Sequence, residues 1–369
     1  YILVNMSYSM YYHSYLHILQ WFSLFNEGFA AVKNFSFPVS YHMLVVLIDL
    51  PVFIYIVSNF SRIHSAGLRL RLYKLLAVTA SILILASVEV KNYSEGCSIV
   101  QFIDDRYKGE SPIVERYGTI ANEITSILLK KSEKEMIDSF QYGKQIDYKT
   151  DAGEKQGEKP NYIIIQVESM DSNLIDWKYK GEYITPYLHS LAEENVYYPY
   201  VVCYHKGGST SDSEFSIINS IEPIDWFPAL KLSNYTYPNS MLYRLADNSY
   251  RTVAFHGNTG SFFNRDAAFP RMGFKVFYDM EKMGLKHVGW GAPDKEVFDF
   301  SKNVIKNLEQ PYFSYIITMT SHGPFINAGY YYRNKHYNDI EAEIVRDYFN
   351  SMSYVDRSIR DFVTYMRAN

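Results

Sequence analysis

The chain has few cysteines and a small net charge. The sequence has two cysteines among 369 residues, and its 36 basic and 40 acidic side chains leave a formal net charge of -4. So few cysteines exclude a disulfide-stapled mini-protein, and a near-neutral charge balance gives no sign of a nucleic-acid-binding protein. A hydrophobic fraction of 47% over this length can form a large core and two or three domains, which excludes wholesale disorder.

Charged residues are almost absent from the N-terminal quarter of the chain. The first 26 residues carry no Asp, Glu, Lys or Arg, and only eight charged side chains lie before residue 91. The apolar runs 1–26, 43–60 and 72–88 are close to the roughly 20 residues that a membrane-spanning helix needs. We therefore predict about three transmembrane helices within residues 1–90. The third run, interrupted by Lys74, also fits a buried helix of a soluble domain.

The loop between the second and third runs determines the predicted orientation in the membrane. Residues 61–74 carry four basic side chains and no acid, so the positive-inside rule places this loop in the cytoplasm. Everything after residue 90 is then extracytoplasmic, where a disulfide between Cys97 and Cys203 is permitted but not required. Two isolated cysteines without a second pair of ligands do not fit a zinc site.

The rest of the chain divides into a connecting segment, 91–160, and a domain, 161–369. The connecting segment contains a helical stretch followed by a polar linker with Gly and Pro. In the domain, apolar runs predict strands and amphipathic stretches between them predict helices. The predicted strands are 162–167, 252–255 and 312–320, and the predicted helices are 185–194, 241–246, 294–308 and a long C-terminal one with an apolar stripe from Val345 to Met366. This alternation indicates an α/β fold with a mostly parallel sheet and helices on both faces.

Polar groups follow the three predicted strands. Glu168 comes after the first strand, His256 after the second and Ser321-His322 after the third. Because ligand sites in such sheets form beyond the carboxyl ends of the strands, we expect these residues to converge. Each one alone has a structural explanation, as a helix cap or as a histidine satisfied at the sheet rim. Three at one edge favour a functional site.

The segment HKGGSTSDSEFSIINS, residues 205–220, is predicted to turn tightly and then begin a helix. Ser211 as N-cap and Glu214 three residues later match a capping box. A hydroxyl at a helix N-terminus lies where backbone N–H groups and the helix dipole stabilise negative charge. Thr210 is therefore a candidate nucleophile, whose alkoxide a divalent cation would stabilise further.

Taken together, these segments resemble the lipoteichoic acid synthase family. The motifs that carry the resemblance are VES at 167–169, GGSTSDSEF at 207–215, FHGN at 255–258, FFNRD at 262–266 and TSHGPF at 320–325. TPYLHSLAEENVYY at 185–198 is also similar to a segment common to the superfamily. The family consists of membrane-anchored phosphoglycerol transferases with a sulfatase-like external domain of the alkaline phosphatase superfamily. The ordered combination of motifs is far more specific than any one of them.

The resemblance implies a role for each candidate residue. Glu168 matches the family's metal-binding glutamate, and Thr210 matches its threonine, which is both nucleophile and metal ligand. His256, Arg265 and His322 match positions that hold the phosphoglycerol group. The metal is expected to be manganese (Mn²⁺), with magnesium (Mg²⁺) as the other candidate.

The sequence departs from the family pattern in two places. Phe263, at another substrate-binding position, falls where the family commonly has Trp, which keeps an aromatic wall but loses the indole N–H. The family completes its metal site with an adjacent Asp-His pair, and no Asp directly precedes any of the ten histidines here. Because the sequence starts at Tyr1 and stops at Asn369, we expect a C-terminally truncated fragment of a longer reading frame, inactive by itself.

The resemblance implies transfer of glycerol phosphate from phosphatidylglycerol to a polymer or glycan acceptor through a phosphoglyceryl-threonine intermediate. The acceptor would be a glycolipid, a teichoic acid or a glucan, in cell-wall biogenesis at a bacterial cell membrane, with the catalytic domain on the extracytoplasmic side. The expected partners include the lipid bilayer and no nucleic acid.

Two alternatives stay open at this point. One is a metal-dependent phosphodiesterase or sulfatase-type hydrolase, in which water resolves the intermediate, although no Cys/Ser-x-Pro-x-Arg sulfatase motif surrounds Thr210. The other is a non-catalytic, membrane-tethered domain that binds a lipid headgroup without turning it over.

Overall fold

The computed structural model describes residues 132–140, 159–203, 206–224 and 227–369. The chain divides into two compact units, Tyr1–Lys130 and Lys131–Asn369, and all described residues belong to the second. The three predicted membrane spans and most of the predicted connecting segment therefore lie outside the described residues. Within the described ranges, no helix is both long enough and apolar enough to cross a membrane.

The described part of the chain alternates between helices and strands over most of its length. In chain order its elements are α1 (Glu133–Asp138), β1 (Tyr162–Gln166), β2 (Lys178–Tyr179), β3 (Glu182–Tyr183), α2 (Pro186–Glu194), α3 (Thr210–Asn219), α4 (Met241–Asp247), β4 (Arg251–His256), α5 (Arg265–Met272), β5 (Val276–Tyr278), α6 (Asp294–Ile305), β6 (Tyr312–Ile317) and α7 (Glu343–Ala368). Each predicted strand and helix of the domain is present, with ends shifted by at most three residues.

Four strands form a parallel sheet in the order β1-β6-β4-β5. Tyr162 of β1 pairs with Phe313 of β6, and His256 at the end of β4 pairs with Ile317 at the end of β6. The carboxyl ends of these three strands therefore meet at one edge, where ligand sites form. Strands β2 and β3 make a separate antiparallel pair. The predicted mostly parallel α/β sheet is confirmed.

Alternate residues of β6 pack against opposite layers of helices. Phe313, Tyr315 and Ile317 join a buried cluster with side chains of α3, α4 and α5. Tyr312 and Ile316 join a second cluster with side chains of α6 and α7. A strand covered on both faces reads as a near-continuous apolar run, and every residue of YFSYII is buried. Helices thus cover both faces of the sheet, as predicted.

The C-terminal helix α7 holds one of these layers in place. Its buried apolar residues are Phe349, Met352, Val355, Ile359 and Phe362. The predicted stripe is therefore buried in its central part, whereas Val345 at its start is 38% exposed. Asp356 on the same helix accepts the backbone N–H groups of Tyr187 and Leu188 at 3.1 and 2.8 Å, so α7 caps the N-terminus of α2.

Candidate active site

The ends of β1 and β6 are joined by side chains that continue beyond the ladder. The backbone N–H of Glu168 donates to Thr318 Oγ1 at 2.9 Å, and Ser321 Oγ donates to the carbonyl oxygen of Glu168 at 2.6 Å. These bonds fix the backbone of Glu168 and the start of the loop that carries His322. Two of the strand-end groups predicted to converge are thus held at the same edge.

Thr210 is the first residue of α3 and contacts Glu168 directly. Its Oγ1 donates a hydrogen bond to Glu168 Oε2 at 2.9 Å. Gln166, two residues before Glu168, also reaches this helix, because its Nε2 donates to the carbonyl oxygen of Thr210 at 3.4 Å. Two predicted metal ligands from distant parts of the sequence are therefore brought together. Both are partly buried, and Thr210 lies at a helix N-terminus that favours negative charge.

The turn before α3 is held by the carboxylate of Asp212. Its Oδ2 accepts the backbone N–H groups of Lys206 and Gly208 at 2.9 and 2.8 Å. Ser209, between Gly208 and Thr210, has a φ of 46°, in the sparsely populated positive region for a residue with a side chain. The hydrogen bonds to Asp212 hold this uncommon backbone conformation, which directs Thr210 toward Glu168.

The predicted capping box at Ser211 is wrong. Helix α3 begins two residues earlier, at Thr210, and its N-cap Ser209 makes no side-chain capping bond. Ser211 Oγ instead donates to the carbonyl oxygen of Gly208 at 2.7 Å, and Glu214 binds a side chain from another helix. The local sequence pattern fits a capping box, but Glu214 instead pairs with a guanidinium that is distant in the sequence.

That guanidinium belongs to Arg265, a predicted phosphoglycerol ligand. Its Nε lies 3.1 and 2.9 Å from the two carboxylate oxygens of Glu214, and its Nη2 lies 2.6 Å from Oε1. Both side chains are 1% exposed. Burial raises the pKa of the Glu214 carboxyl, and the Arg265 charge opposes that shift. The structure therefore places Arg265 in a buried bidentate ion pair at the base of α3.

His256 lies fully within the fold at the end of β4. Its Nδ1 is 3.4 Å from the carbonyl oxygen of Ile317, and its side chain is buried. Burial lowers its pKa well below the usual value, and the nearby positive charges of Arg265 and His322 lower it further. His256 is therefore a neutral imidazole at pH 7, able to accept or donate one hydrogen bond at each ring nitrogen according to its tautomer.

His322 lies in the loop after β6, against an aromatic ring. Its Nδ1 is 2.7 Å from the carbonyl oxygen of Gly323, and its ring centroid is 4.5 Å from that of Trp290. With Nδ1 as the donor, Nε2 remains for another partner. Trp290 lies between Gly289 and Gly291, and a Cβ at either glycine would overlap a neighbouring oxygen. The two glycines thus let this turn approach the site closely.

Phe263 packs beside Arg265 in the segment before α5. Its ring centroid is 5.6 Å from the guanidinium carbon of Arg265, a distance that permits a cation–π contact. Phe263 and Asn264 both have positive φ, 53° and 62°, so this short segment is bent in an uncommon way. The predicted aromatic wall therefore lies against the predicted phosphoglycerol-binding arginine.

The chemistry of Glu168 and Thr210 suits a divalent cation. Both present oxygen donors, which Mg²⁺ and Mn²⁺ prefer, and these oxygens are already within hydrogen-bonding distance of each other. The two residues fit as two ligands of the expected site. Across the ranges that the structure describes, no group of three or more His, Cys, Asp or Glu is placed to hold a metal ion.

Three contributors to this edge of the sheet were missed in the sequence. Glu214 and Trp290 are described above, and Asp294 accepts the backbone N–H groups of Met319 and Thr320 at 2.6 and 3.0 Å. Burial raises the pKa of Asp294 to about 6. The available signals were the four-residue spacing from Thr210 to Glu214 and the Gly-Trp-Gly turn. Nothing local marks Asp294, because its partners lie at least 25 residues away.

Comparison with known proteins defines the class that this fold and site belong to. The sulfatase family profile matches residues 160–369, more than half of the chain, and the chain therefore belongs to the sulfatase family. The fold is that of the sulfatase and alkaline phosphatase superfamily.

Individual relatives refine that assignment. The chain is 31% identical over 222 residues to lipoteichoic acid synthase 2 of Bacillus subtilis, covering 56% of this chain and 32% of that protein. It is 31% identical over 223 residues to the lipoteichoic acid synthase of Staphylococcus saprophyticus, covering 57% and 33%. The crystal structure of the lipoteichoic acid synthase LtaP from Listeria monocytogenes matches with a TM-score of 0.54 and 27% identity, covering 64% of this chain and 59% of that one. The resemblance to the lipoteichoic acid synthase family is confirmed, although the chain spans only about a third of these two curated relatives.

Proposed function

We propose that this chain belongs to a metal-dependent phosphoglycerol transferase that acts on a lipid donor at the outer face of a bacterial membrane. The observation that carries the proposal is the 2.9 Å hydrogen bond between Thr210 Oγ1 and Glu168 Oε2 at the N-terminus of α3. It unites the predicted nucleophile with the predicted metal-binding carboxylate at the sheet edge. The similarity to lipoteichoic acid synthases supports the choice of a phosphoglycerol group.

In this proposal Thr210 is the nucleophile. Oγ1 attacks the phosphorus of phosphatidylglycerol, the bond from phosphorus to the diacylglycerol oxygen breaks, and a phosphoglyceryl-threonine forms. The proton lost by the threonine hydroxyl ends on the diacylglycerol oxygen. An acceptor hydroxyl then attacks the same phosphorus and releases Thr210. A divalent cation held by Glu168 and Thr210, manganese or magnesium, would lower the pKa of the threonine hydroxyl.

The other residues of the site would bind and orient the phosphoglycerol group. Backbone N–H groups at the start of α3 and the Arg265 guanidinium would face phosphate oxygens, because both donate to anions. His256, neutral at pH 7, and His322 through Nε2 would contact phosphate or glycerol hydroxyl groups. Phe263 would line the glycerol side. Such contacts accelerate transfer to the extent that they are stronger to the charged transition state than to the bound substrate.

The decisive experiment uses the full-length protein with labelled phosphatidylglycerol and Mn²⁺. Thr210→Ala should abolish diacylglycerol release, while Thr236→Ala, at an exposed threonine, should leave it unchanged. Mass spectrometry of the wild-type protein should find a phosphoglyceryl group on the peptide containing Thr210. Undiminished release by the Thr210→Ala variant would contradict the nucleophile assignment.

The fate of glycerol phosphate separates the proposal from the two alternatives. A transferase leaves glycerol phosphate on a polymer or glycan acceptor, whereas a hydrolase leaves it free in solution. A headgroup-binding domain without catalysis would bind phosphatidylglycerol and release no diacylglycerol. Supplying a glycolipid, a teichoic acid fragment or a glucan in parallel reactions would also identify the acceptor class.

The proposed location follows from the substrate. Phosphatidylglycerol stays in the bilayer because of its two acyl chains, so an enzyme that uses it must keep its site near the lipid headgroups. The apolar runs within residues 1–90 would supply that anchor, with the domain on the extracytoplasmic side. Protease accessibility of residues 161–369 on intact protoplasts tests the orientation, and protection of this domain would refute it.

A further inference from the structure

Helix α3 carries two residues of the site one turn apart. Thr210 is its first residue and Glu214 follows four positions later, so both lie on the same side of the helix. Thr210 Oγ1 donates to Glu168, whereas Glu214 accepts from Arg265 through Nε and Nη2. The position of Arg265 is therefore tied to that of Thr210 through a single helical turn.

The bonds made by Arg265 leave one edge of its guanidinium for another partner. Glu214 takes the edge formed by Nε and Nη2, and Nη1 donates to the carbonyl oxygen of Phe262 at 3.3 Å. A guanidinium has five N–H groups, so one on Nη1 and one on Nη2 remain after these contacts within the described residues. Two N–H groups of one guanidinium can bind two oxygens of one phosphate.

We propose that Glu214 is a positioning residue, which fixes the edge that Arg265 presents to the phosphoglycerol group and the distance from that edge to Thr210. The inference rests on the function proposed above, because it requires a phosphate that Arg265 binds. Without this carboxylate, no group of α3 would hold the orientation of the guanidinium before the phosphate binds. With the carboxylate, the guanidinium is already fixed before binding, which is the condition for effective transition-state stabilisation.

Two observations favour this role over a purely structural ion pair. Burying two charges costs desolvation that apolar side chains of similar volume avoid, so a core contact alone does not call for this pair. The charge of Arg265 also reaches His256, a second predicted phosphoglycerol ligand, and lowers its pKa. The guanidinium therefore lies within electrostatic range of the site.

The test compares this pair with a matched pair elsewhere in the chain. Arg251 also contacts a glutamate through Nε and Nη2, both to Oε2 of Glu309, but this pair is exposed and lies at the opposite end of β4 from His256. In the full-length protein, Glu214→Asp keeps the charge but withdraws the carboxylate by one methylene. Because a misplacement of about 1 Å can cost on the order of 100-fold, kcat for diacylglycerol release should fall by about that factor with a smaller change in KM. Glu309→Asp should leave both unchanged.

A binding measurement distinguishes failure of this inference from failure of the proposed function. Calorimetry of sn-glycerol 1-phosphate binding in the presence of Mn²⁺ should show at least tenfold weaker binding for Glu214→Asp than for Glu309→Asp, with thermal unfolding confirming that both variants are folded. If the wild type binds glycerol phosphate with this dependence on Glu214 but releases no diacylglycerol, the proposed transferase fails and the positioning role stands. If folded Glu214→Asp binds and turns over like the wild type, Glu214 is only structural and the inference is overturned. A wild-type protein that neither binds nor turns over overturns both.

Discussion

Replacing Gly208 by alanine should disable the turn that presents Thr210. A Cβ at this position would lie 2.1 Å from Asp212 Oδ1 and 2.7 Å from Ser211 Oγ, closer than real Cβ contacts. Gly208 is not among the glycines with positive φ, so the effect of Gly208→Ala comes from this overlap and not from backbone strain. The Asp212 carboxylate must move away, and its hydrogen bonds to the N–H groups of Lys206 and Gly208 must lengthen or break.

The size of the effect follows from these contacts. Hydrogen bonds to a charged acceptor contribute about 1.5–3 kcal/mol each, so partial loss of two should lower the free energy of unfolding by about 2–3 kcal/mol. Relieving the overlap shifts the turn by roughly 1 Å two residues before Thr210, enough to lower kcat for diacylglycerol release by about 100-fold. Urea denaturation gives the first quantity and steady-state kinetics gives the second.

A matched substitution provides the control. A Cβ at Gly329 would lie 3.5 Å from Arg333 Nη2, an ordinary contact, so Gly329→Ala should change neither quantity. The reasoning is refuted if Gly208→Ala is as stable and active as Gly329→Ala. It is also refuted if Gly208→Ala loses stability without losing activity, because the turn would then not position Thr210.

Three further predictions concern pH, an aromatic support and the metal. Burial raises the pKa of Asp356 from 3.8 to about 6, so the folded state binds this proton more tightly than the unfolded state. Its contribution should lower the free energy of unfolding by about 3 kcal/mol as pH rises from about 4 to about 6, and Asp356→Asn should remove that part of the pH dependence in urea denaturation. Trp290→Phe should keep most diacylglycerol release, whereas Trp290→Ala, which removes the ring against His322, should lower it about tenfold and cost about 3–5 kcal/mol in urea denaturation. EDTA should abolish glycerol phosphate binding measured by calorimetry, and added Mn²⁺ should restore it; binding unaffected by EDTA would contradict the assigned metal ligands.

The strand ends could be predicted from the sequence because they depend on local patterns. Continuous apolar runs mark strands buried on both faces, and the polar residue that follows each run marks its exit from the sheet. Parallel pairing then brings Glu168 and His256 to one edge without further information. Thr210 was predictable for a similar reason, since two glycines and a Ser/Thr cluster before an apolar run mark the start of a helix.

The partners of individual side chains could not be predicted in this way. Glu214 matches a capping box, yet it pairs with Arg265, 51 residues later in the sequence. A buried guanidinium needs a carboxylate more than a helix terminus does, because an unpaired buried charge costs far more than a lost cap. Such choices depend on which helices the sheet brings together, and this information is spread over the whole domain.

The charges around Thr210 bear on how a phosphate could bind there. Glu214 neutralises Arg265, and His256 is neutral because burial and nearby positive charge lower its pKa. The carboxylate of Glu168 therefore gives the group formed by Glu168, Glu214, Arg265 and His256 a net negative charge. A phosphodiester adds another negative charge, and two like unit charges 4 Å apart repel by about 4 kcal/mol at an effective dielectric constant of 20. A divalent cation held between Glu168 and Thr210 would make that net charge positive. The charge distribution thus gives a reason for the proposed metal that is independent of the resemblance.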